Sequence, residues 1–541
     1  MDDLKFTDNY LDRYGKLKQI RSAGYDTLCE EVAKYIKPHR QGFITQLSAG
    51  QRQTDYLFDS TAPDASQKLA YAIHGSLVSS SLEWFGLKFS SNDEAPVEHR
   101  QWLEKVVSRM HAIFSDSNWD AASEEAVEDM VDFGQGALWC EEKTKKRKGG
   151  FPGVRFEALH PASYWVEEDE EGYVNVIFRK VMMSRRAAWA RWSEILGESF
   201  KNKMLTAPHE FIEILHVVEP RADAEMLSGF ATKTKRPYAS VWIAVEEKVV
   251  LEEGGYYEFP CAVFRWSKSS GEVTGRGPAF VALPDVRTLN KSKELGLKAW
   301  AKVLDPPLKK RANSVTGNVN SVPGGVTIVR NMDDVAPLYD SNAFRFDVSQ
   351  MKHMDLKASI ERTFFVDQIQ LPPVGQSKTM SATEIEVRYE QMSKILGPAF
   401  GRVKDEGIAP IVRRVFYILF RAGEFVAPPE TMTESTLHIR YVNPFERAQK
   451  QSKVVALERF LQGIASYAAL DASILDLIDP DKVGKIYHDG LAAPEGILRT
   501  ATDLKKLREA KAARTQQQAE LQARMANAEA MSKAGKAVGN V

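Results

Sequence analysis

Residues 275–308 read GRGPAFVALPDVRTLNKSKELGLKAWAKVLDPPL, and this stretch decides how the chain is organised. Its apolar residues recur every three or four positions, which predicts a helix with one apolar stripe. The stripe consists of Val286, Leu289, Leu297, Trp300 and Leu304. We expect Pro284 in the first turn of the helix, where a missing N–H is tolerated. Asp305-Pro306-Pro307 ends the helix, because proline holds the residue before it in an extended shape.

A second helical stretch follows a short β-like segment that is rich in Gly, Pro and Asn and ends near Asp347. It runs from Val348 to Gln370, and its apolar side chains again have helical spacing. These side chains are Met351, Met354, Ala358, Phe365 and Ile369. A polar loop, 371–380, then leads to a long helix. The same order would also fit an ordinary helical hairpin with a β insertion in an enzyme, and the pattern alone favours neither.

Local signals mark the start and the bends of the long helix. Ser381 and Glu384 have the spacing of a capping box, which places the helix start. Gly397-Pro398 and Pro410 are expected to kink or break the helix, because proline removes a backbone donor. Beyond Asp503 the composition favours a helix without a broad apolar face, and we expect disorder after Lys533.

The first 135 residues have helical periodicity, and the next 140 alternate as strands do. Two hairpins are predicted, one from 136–142 and 153–159 and another from 163–168 and 173–180. Between the strands we expect a helix from Ser184 to Glu198, and near the end a strand over 256–266. The fold class is therefore α+β and mainly helical.

Composition and charge exclude several classes of protein. The 541 residues carry a formal net charge of −1, whereas a general nucleic-acid coat has a basic excess. The three cysteines, Cys29, Cys140 and Cys261, form neither a zinc motif nor a disulfide framework. The N-terminus lacks the apolar core of a signal peptide, and no apolar run is long enough for a membrane span. We therefore expect neither.

The sequence carries no signature of catalysis. It has no P-loop and no G-x-S-x-G nucleophile motif. His209-Glu210 begins like a zinc-protease motif, but Glu213 stands where the second histidine belongs. The basic run 145–148 and the acidic run 167–171 are favoured as solvated turns over a DNA contact and a cation site, respectively. We expect no catalysis, no cofactor and no required metal.

Several short motifs, taken in order, resemble the portal protein family, the head-to-tail connectors of short-tailed bacteriophages. In the central stretch they are GRGPAF with ALPDVRTLNK (275–291), DPPL (305–308), PGG (323–325) and MSATEI (380–385). Elsewhere they are YIKPHR (35–40), FDSTA (58–62), EWFGL (83–87), HPASYWVEEDEEG (160–172) and IDPDKV (478–483). No single motif decides the matter; their order and spacing along nearly the whole chain do.

The resemblance implies a portal fold with a wing, two stem helices, a clip, a tunnel loop and a crown. The implied boundaries are an N-terminal helical wing (1–135), a β-rich wing (136–275), a first stem helix (276–304), a clip (305–347), a second stem helix (348–370), a tunnel loop (371–380), a long kinked wing helix with a strand (381–442), and a helical crown with a C-terminal tail (443–541).

The resemblance also implies a function without catalysis. Copies would form a dodecameric ring at one capsid vertex, at the head–tail junction of the virion, after assembly in the bacterial cytoplasm. Double-stranded DNA would pass through the channel during packaging and ejection. The expected partners are the terminase, tail adaptor or nozzle proteins, the major capsid and scaffold proteins, and internal core proteins. No membrane span is expected.

Site residues follow from the same resemblance. Gln376, Lys378 and Thr379 of the tunnel loop are the candidates for touching DNA. The candidates for docking partners at the clip are Lys309, Lys310, Arg311, Asn318 and Asn320. A solvated turn or salt bridges between subunits explain the clip charges equally well. The rival functions are another ring component, such as a tail adaptor or collar, and a nucleic-acid-processing enzyme.

Overall fold

The computed structural model of the chain describes residues 2–40, 42–45, 54–78, 84–89, 97–143, 151–221, 233–312, 318–320, 322, 326–338, 346–369, 397–429, 437–440, 444–468, 477–491, 497 and 501–538. The chain divides into two compact units. The first unit comprises residues 1–82 and 113–422, and the second comprises 83–112 and 423–541. Helices predominate and the sheets are antiparallel, so the prediction of a mainly helical α+β fold is confirmed.

The helices, in chain order, are α1 (Asp2–Ser22), α2 (Tyr25–Tyr35), α3 (Thr61–Leu77), α4 (Val97–Ser115), α5 (Trp119–Phe133), α6 (Arg185–Trp192), α7 (Glu198–Thr206), α8 (Pro278–Leu304), α9 (Phe346–Thr363), α10 (Val366–Ile369), α11 (Ala409–Ala422), α12 (Pro444–Ala468), α13 (Pro480–Leu491) and α14 (Ala501–Val538). The strands are β1 (Gly86–Phe89), β2 (Gln135–Glu142), β3 (Val154–Ala158), β4 (Tyr164–Glu168), β5 (Val174–Ser184), β6 (Phe211–Pro220), β7 (Tyr238–Ala244), β8 (Val249–Tyr256), β9 (Cys261–Arg265), β10 (Leu308–Lys310), β11 (Val335–Pro337) and β12 (Leu437–Arg440). A π-helical turn, Val403–Ile408, precedes α11.

A five-stranded antiparallel sheet in the order β4-β5-β6-β7-β8 forms the centre of the first unit. Side chains alternate between the two faces of each strand, so neighbouring residues enter different clusters. Both faces of this sheet carry apolar side chains, and both are covered. On one face Tyr14 of α1 packs against Trp165 at a ring distance of 4.9 Å. On the other face Ile177 packs with Trp139 of β2, which belongs to the three-stranded sheet β3-β2-β9. The two predicted hairpins are confirmed as β2-β3 and β4-β5.

A buried arginine joins both sheets to the π-helical turn. Arg265, the last residue of β9, is 1% exposed. Its guanidinium donates to Glu406 of the π-helical turn at 3.0 Å and to Glu168 of β4. It also donates to the carbonyls of Gly172 and Val273. Removing one partner of a buried ion pair lowers the free energy of unfolding by about 3–5 kcal/mol. The ion pairs of Arg265 with Glu168 and Glu406 therefore hold β4, β9 and the π-helical turn together.

Two predictions about the β-rich part were wrong. The helix predicted from Ser184 to Glu198 is two helices, α6 and α7, separated by a turn before Gly197. The turn lets Trp192 and Phe200 enter one core cluster on the sheet. The strand predicted over 256–266 is also divided, because Pro260 cannot donate to a ladder; β8 and β9 belong to different sheets.

The helices of the central stretch also differ from their predictions. α8 begins at Pro278, so Pro284 lies inside the helix and not in its first turn. Burial of the neighbouring Leu283 and Val286 compensates for the missing backbone bond. The second helix, predicted to be continuous, is interrupted after Thr363, because Phe365 adopts a left-handed φ of 57° and stacks on Trp266.

The bend expected at Pro410 takes the form of the π-helical turn just before it. Ala409 N–H donates to the carbonyl of Lys404, five residues back. Gly407 in this turn lies against Phe264, since a Cβ there would be 2.8 Å from the ring. The capping box at Ser381 lies outside the described residues, and so does the chain immediately before Gly397-Pro398.

The second unit contains a small antiparallel sheet, β1-β12, and the helices α12 to α14. Trp102 of α4 donates through its indole N–H to the carbonyl of Val426 at 2.8 Å. Trp84 and Phe85 are buried beside His111, which stacks on the Phe85 ring at 4.1 Å. α14 continues to Val538, past Lys533, where disorder was expected. In the described residues, none of the helices combines the length and the hydropathy that a membrane crossing requires.

Candidate functional site

α8 begins where two backbone segments are in direct contact. A Cβ on Gly275 would lie 2.0 Å from the carbonyl oxygen of Gly134, and one on Gly277 would lie 2.5 Å from that of Val131. Gly134 has a φ of 79°, a left-handed conformation that favours glycine. The glycines of the GRG motif therefore let the backbone before α8 pass directly against the C-terminal end of α5. This contact fixes the place where α8 begins.

α8 and α9 form an antiparallel pair. Ser359 Oγ of α9 donates to Asp285 Oδ2 at 2.7 Å, and Ser292 Oγ lies 2.7 Å from His353 Nε2. Near the body the pair is packed, since Leu289 and Ile360 are buried. The two helices that lead to and from the β-like segment therefore pack against each other.

Residues 56–59, just before α3, make hydrogen bonds and an ion pair with another side of α8. Asn290 Oδ1 accepts from the backbone N–H of Phe58 at 2.7 Å, and its Nδ2 donates to the carbonyl of Tyr56 at 2.7 Å. Lys293 pairs with Asp59, which is almost completely buried. The body-proximal half of α8 is thus fixed by polar contacts as well as by its apolar stripe.

One side of α8 is basic. Arg287, Lys291, Lys298 and Lys302 are separated by whole helical turns, so they share this side over about 22 Å. Glu294 lies beside them; hydrogen bonds from Lys298 and Lys291 lower the pKa of Glu294 to about 2. Arg287 also pairs with Glu31, at 2.9 Å. The basic side is therefore partly neutralised within the chain.

The segment between α8 and α9 contains a small sheet, as predicted. β10 pairs with β11 antiparallel, with Lys309 opposite Ala336. Asp334, 3% exposed, accepts from the backbone N–H of Asn331 at 2.8 Å, and Arg311 lies 3.8 Å from the same carboxylate. Leu338 N–H donates to the carbonyl of Pro307 at 2.7 Å. These contacts close the segment into a hairpin-like unit.

The predicted docking residues lie in or beside this small sheet. Lys309 and Lys310 are exposed on β10, and Arg311 is exposed just after it. Asn318 and Asn320 are exposed in the connection, where the Asn320 backbone N–H donates to Thr327 Oγ1 at 2.9 Å. The other predicted site residues, Gln376, Lys378 and Thr379, fall outside the described part of the chain.

Exposed apolar side chains accompany these polar residues, and the sequence reasoning missed them. Val326, Ile328 and Met332 are 82%, 71% and 91% exposed. The three residues lie within seven positions of one another in the chain, and a contiguous exposed apolar patch often marks an interaction site. The sequence did contain a signal for these exposed side chains, because Val, Ile and Met stand out in a segment that is otherwise rich in Gly, Pro and Asn.

The apolar stripe predicted for the second helix does not face α8. Met351 and Met354 are 69% and 63% exposed, whereas Ile360 and Phe364 are buried. His353, which contacts Ser292 of α8, lies two helical turns from Ile360 and on the same side. α9 therefore has a buried side and a separate, exposed apolar side.

A cleft of about 630 Å³ lies over the five-stranded sheet. Four of its charged groups are paired with each other: Arg179 with Glu157, and Arg191 with Glu252 at 2.9 Å. His216 is stacked on Trp242, which lines the cleft, at 3.9 Å. Burial lowers the pKa of His216 well below its ordinary value, and the charges of Arg179 and Arg191 add to this effect. The histidine is therefore neutral and part of the core.

Among the residues that the structure describes, no group of three or more His, Cys, Asp or Glu side chains has the arrangement of a metal site. The three cysteines are buried and unpaired. The features that stand out in the described chain are surfaces: the basic side of α8, the small sheet and the uncovered apolar sides.

The model of the family described as "Bacteriophage head to tail connecting protein" matches residues 7–498. This chain belongs to that family. The head-to-tail connecting proteins are structural proteins of bacteriophages, and the family predicted from the sequence motifs is confirmed.

Two curated relatives of this connecting protein cover nearly its whole length. A "Probable portal protein" of Bordetella phage BPP-1 is 25% identical over 536 residues, which is 96% of this chain and 93% of the relative. A "Portal protein" of Salmonella phage epsilon15 is 23% identical over 521 residues, which is 94% and 92% of the two chains.

The glycine contact at the start of α8 gives a stability prediction. Gly275→Ala is expected to lower the free energy of unfolding by about 3 kcal/mol or more, because the new Cβ meets backbone and not a flexible side chain. Gly296→Ala, in the same helix, has open space and is expected to raise this free energy by roughly 0.5–1 kcal/mol. Urea unfolding followed by circular dichroism measures both. Equal midpoints for the two variants would contradict the assignment of this contact.

Proposed function

We propose that this chain is the portal subunit of a bacteriophage. Twelve copies form a ring at one capsid vertex, at the head–tail junction, and duplex DNA passes through its axis during packaging and ejection. The ring assembles in the host cytoplasm with the capsid and scaffold proteins. The observation that carries the proposal is the basic side of α8, about 22 Å long, on a helix pair with exposed apolar sides. The two relatives named as portal proteins support it.

The charge of this surface suits a channel through which DNA moves. Each phosphate that a protein neutralises strengthens binding, so a dense basic stripe would hold DNA in place. On α8, Glu294 pairs with Lys291 at 2.9 Å and with Lys298 at 2.5 Å. A channel lined by these pairs attracts DNA weakly and along its whole length, which favours passage over capture.

The structural elements can be assigned to the parts of a portal subunit. In this assignment α8 and α9 are the stem helices and the small sheet belongs to the clip. Residues 1–135 and 136–275 are the two parts of the wing, 381–442 is the kinked wing helix with its strand, and 443–541 is the crown and tail. The tunnel loop is 371–380, in which Gln376, Lys378 and Thr379 touch DNA.

The clip is proposed as the docking surface for the terminase and, later, for the tail adaptor. Lys309, Lys310 and Arg311 give it positive charge, and Val326, Ile328 and Met332 give it exposed apolar area. Interfaces between proteins combine an apolar centre with a polar rim. The apolar side chains are therefore expected to contribute most of the affinity and the basic residues the specificity.

Cross-linking tests the channel assignment. A photoreactive amino acid replaces Leu295, which is 54% exposed and lies on the basic side of α8. In DNA-filled particles, irradiation is expected to link this residue to DNA, because the basic side faces the axis. Leu205 on α7, 67% exposed, is the matched control and should give no DNA adduct. Adducts at Leu205 and none at Leu295 would contradict the proposed channel.

A triple variant tests the clip. Val326→Ser, Ile328→Ser and Met332→Ser together are expected to weaken capture of the tail adaptor of the same phage by at least tenfold, because they remove the exposed apolar area. The control carries Ile20→Ser, Leu205→Ser and Phe211→Ser, which are exposed to a similar degree. Pull-down with the purified adaptor measures binding, and circular dichroism verifies folding. Equal capture by both variants would refute the docking role.

A further inference from the structure

A short segment after α2 lies against one side of α5. It comprises residues 37–40, which include a 3₁₀ turn, and residues 42–44, and we call these residues together the clasp. Glu30 of α2 accepts hydrogen bonds from the backbone N–H groups of 42–44, at 3.1–3.4 Å. Phe43 lies against the ring of Phe133, the last residue of α5, at a centroid distance of 5.0 Å. The clasp is therefore held by both helices.

The side of α5 that faces the clasp carries four carboxylates. They are spaced by three or four residues and therefore share one side of the helix. They are Glu125, Glu128, Asp129 and Asp132. In the described chain two cations pair with these groups, and both belong to the clasp. Lys37 pairs with Glu128 and lies 3.6 Å from Asp132. Arg40 pairs with Glu125 and lies 3.2 Å from Asp129.

Asp129 is the least supported of the four carboxylates. It is 0% exposed, and neither of its oxygens accepts a hydrogen bond from any residue that the structure describes. The guanidinium beside it, that of Arg40, also pairs with Glu125. Asp132, in contrast, accepts a hydrogen bond from Ser66 of α3. A buried carboxylate without hydrogen bonds is costly, so a carboxyl group in this position tends to keep its proton.

The pKa of Asp129 agrees with this arrangement. Burial raises the pKa of Asp129 to about 7, although the charges of Arg40 and Lys37 act in the opposite direction. Asp132 and Glu125 raise this pKa further, because their negative charges disfavour another one nearby. Asp129 therefore changes charge in the neutral range, where an ordinary aspartate is fully ionised.

Other groups near Asp129 can also titrate. His160 has its Nε2 2.9 Å from the carbonyl oxygen of Arg40, and burial lowers the pKa of His160 to about 4. Burial raises the pKa of Tyr164 of β4 well above its ordinary value. Both groups are therefore neutral around pH 7. Burial also lowers the pKa of His39 in the clasp, and His39 is the group for which a test has to control.

We propose that the clasp is closed by a proton on Asp129 and loosens when Asp129 ionises. With Asp129 neutral, three carboxylates face two cations; with Asp129 charged, four carboxylates face the same two cations. Opening the clasp admits water and therefore returns the pKa of Asp129 toward its ordinary value. The closed clasp binds the proton more tightly than the open one, so its stability is greatest at acid pH. This stability falls as the pH rises toward about 7 and changes little above that.

The inference is independent of the proposed function. It gives a role to two motifs that the proposed function leaves unused, since YIKPHR supplies Lys37 and Arg40, and HPASYWVEEDEEG supplies His160 and Tyr164.

Hydrogen–deuterium exchange of the clasp in the full-length chain tests the proposal. Exchange is measured at about pH 5.5 and about pH 7.5 and is corrected for the intrinsic effect of pH on exchange. The amides of Arg40 and Phe43 donate to the carbonyl of Lys37 and to Glu30. They are expected to be protected at least tenfold less at the higher pH, because the closed clasp loses its proton. In Asp129→Asn, which is neutral at both pH values, protection should change less than twofold.

Three further variants make the test specific. Asp129→Leu also removes the titrating group, by an apolar side chain of similar size, and should respond as Asp129→Asn does. Asp120→Asn makes the same chemical change at an exposed position of α5 and should keep the response of the wild type. His39→Gln should keep this response as well. Circular dichroism verifies that each variant is folded.

The outcomes decide the proposal. Equal protection of the wild-type clasp at both pH values would overturn it. A response to pH that persists in both Asp129 variants, or that disappears in His39→Gln, would also overturn it. Loss of the response in the Asp129 variants, together with its persistence in Asp120→Asn and His39→Gln, supports a clasp that a proton on Asp129 holds closed.

Discussion

The contact between the backbones of Gly134 and Gly275 is the constraint on which the arrangement of the central stretch depends. It brings the carbonyl oxygen of Gly134 to 2.0 Å from where a side chain on Gly275 would begin, so only glycine fits. α8 starts three residues later and is therefore fixed to α5 and to the β-rich body. Arg265 secures the same region from the other side, because Glu168 and Glu406 neutralise its buried charge.

From this fixed start, α8 presents sides of different character along its length. Near the body its apolar stripe is buried, as at Val286 and Leu289. Further out the stripe continues as Leu297, Trp300 and Leu304, which the chain itself leaves exposed. The basic side runs parallel to it. A helix that is apolar on one side and basic on another suits the proposed function, in which α8 faces DNA on one side and the rest of the ring on the other.

The sequence predicted elements where the determining signal was local. Apolar periodicity identified α8, the prolines at 306 and 307 identified its end, and strand alternation with turn residues identified the hairpins β2-β3 and β4-β5. The predictions failed where contacts between residues far apart in the sequence determine the local structure. Burial carries α8 through Pro284, and the pairing with α8 decides that His353 and Ile360, and not Met351, face inward. The close approach at Gly275 depends on Gly134, 141 residues earlier, and no local pattern reveals such a contact.

The most direct test of the account is single-particle electron microscopy of the purified chain over a range of concentrations, with and without the scaffold protein of the same phage. The account predicts closed rings with an axial hole wide enough for duplex DNA, a stalk on one side formed by α8 and α9, and the basic side of α8 lining the hole. Monomers under every condition, or rings in which the basic side of α8 faces outward, would contradict it.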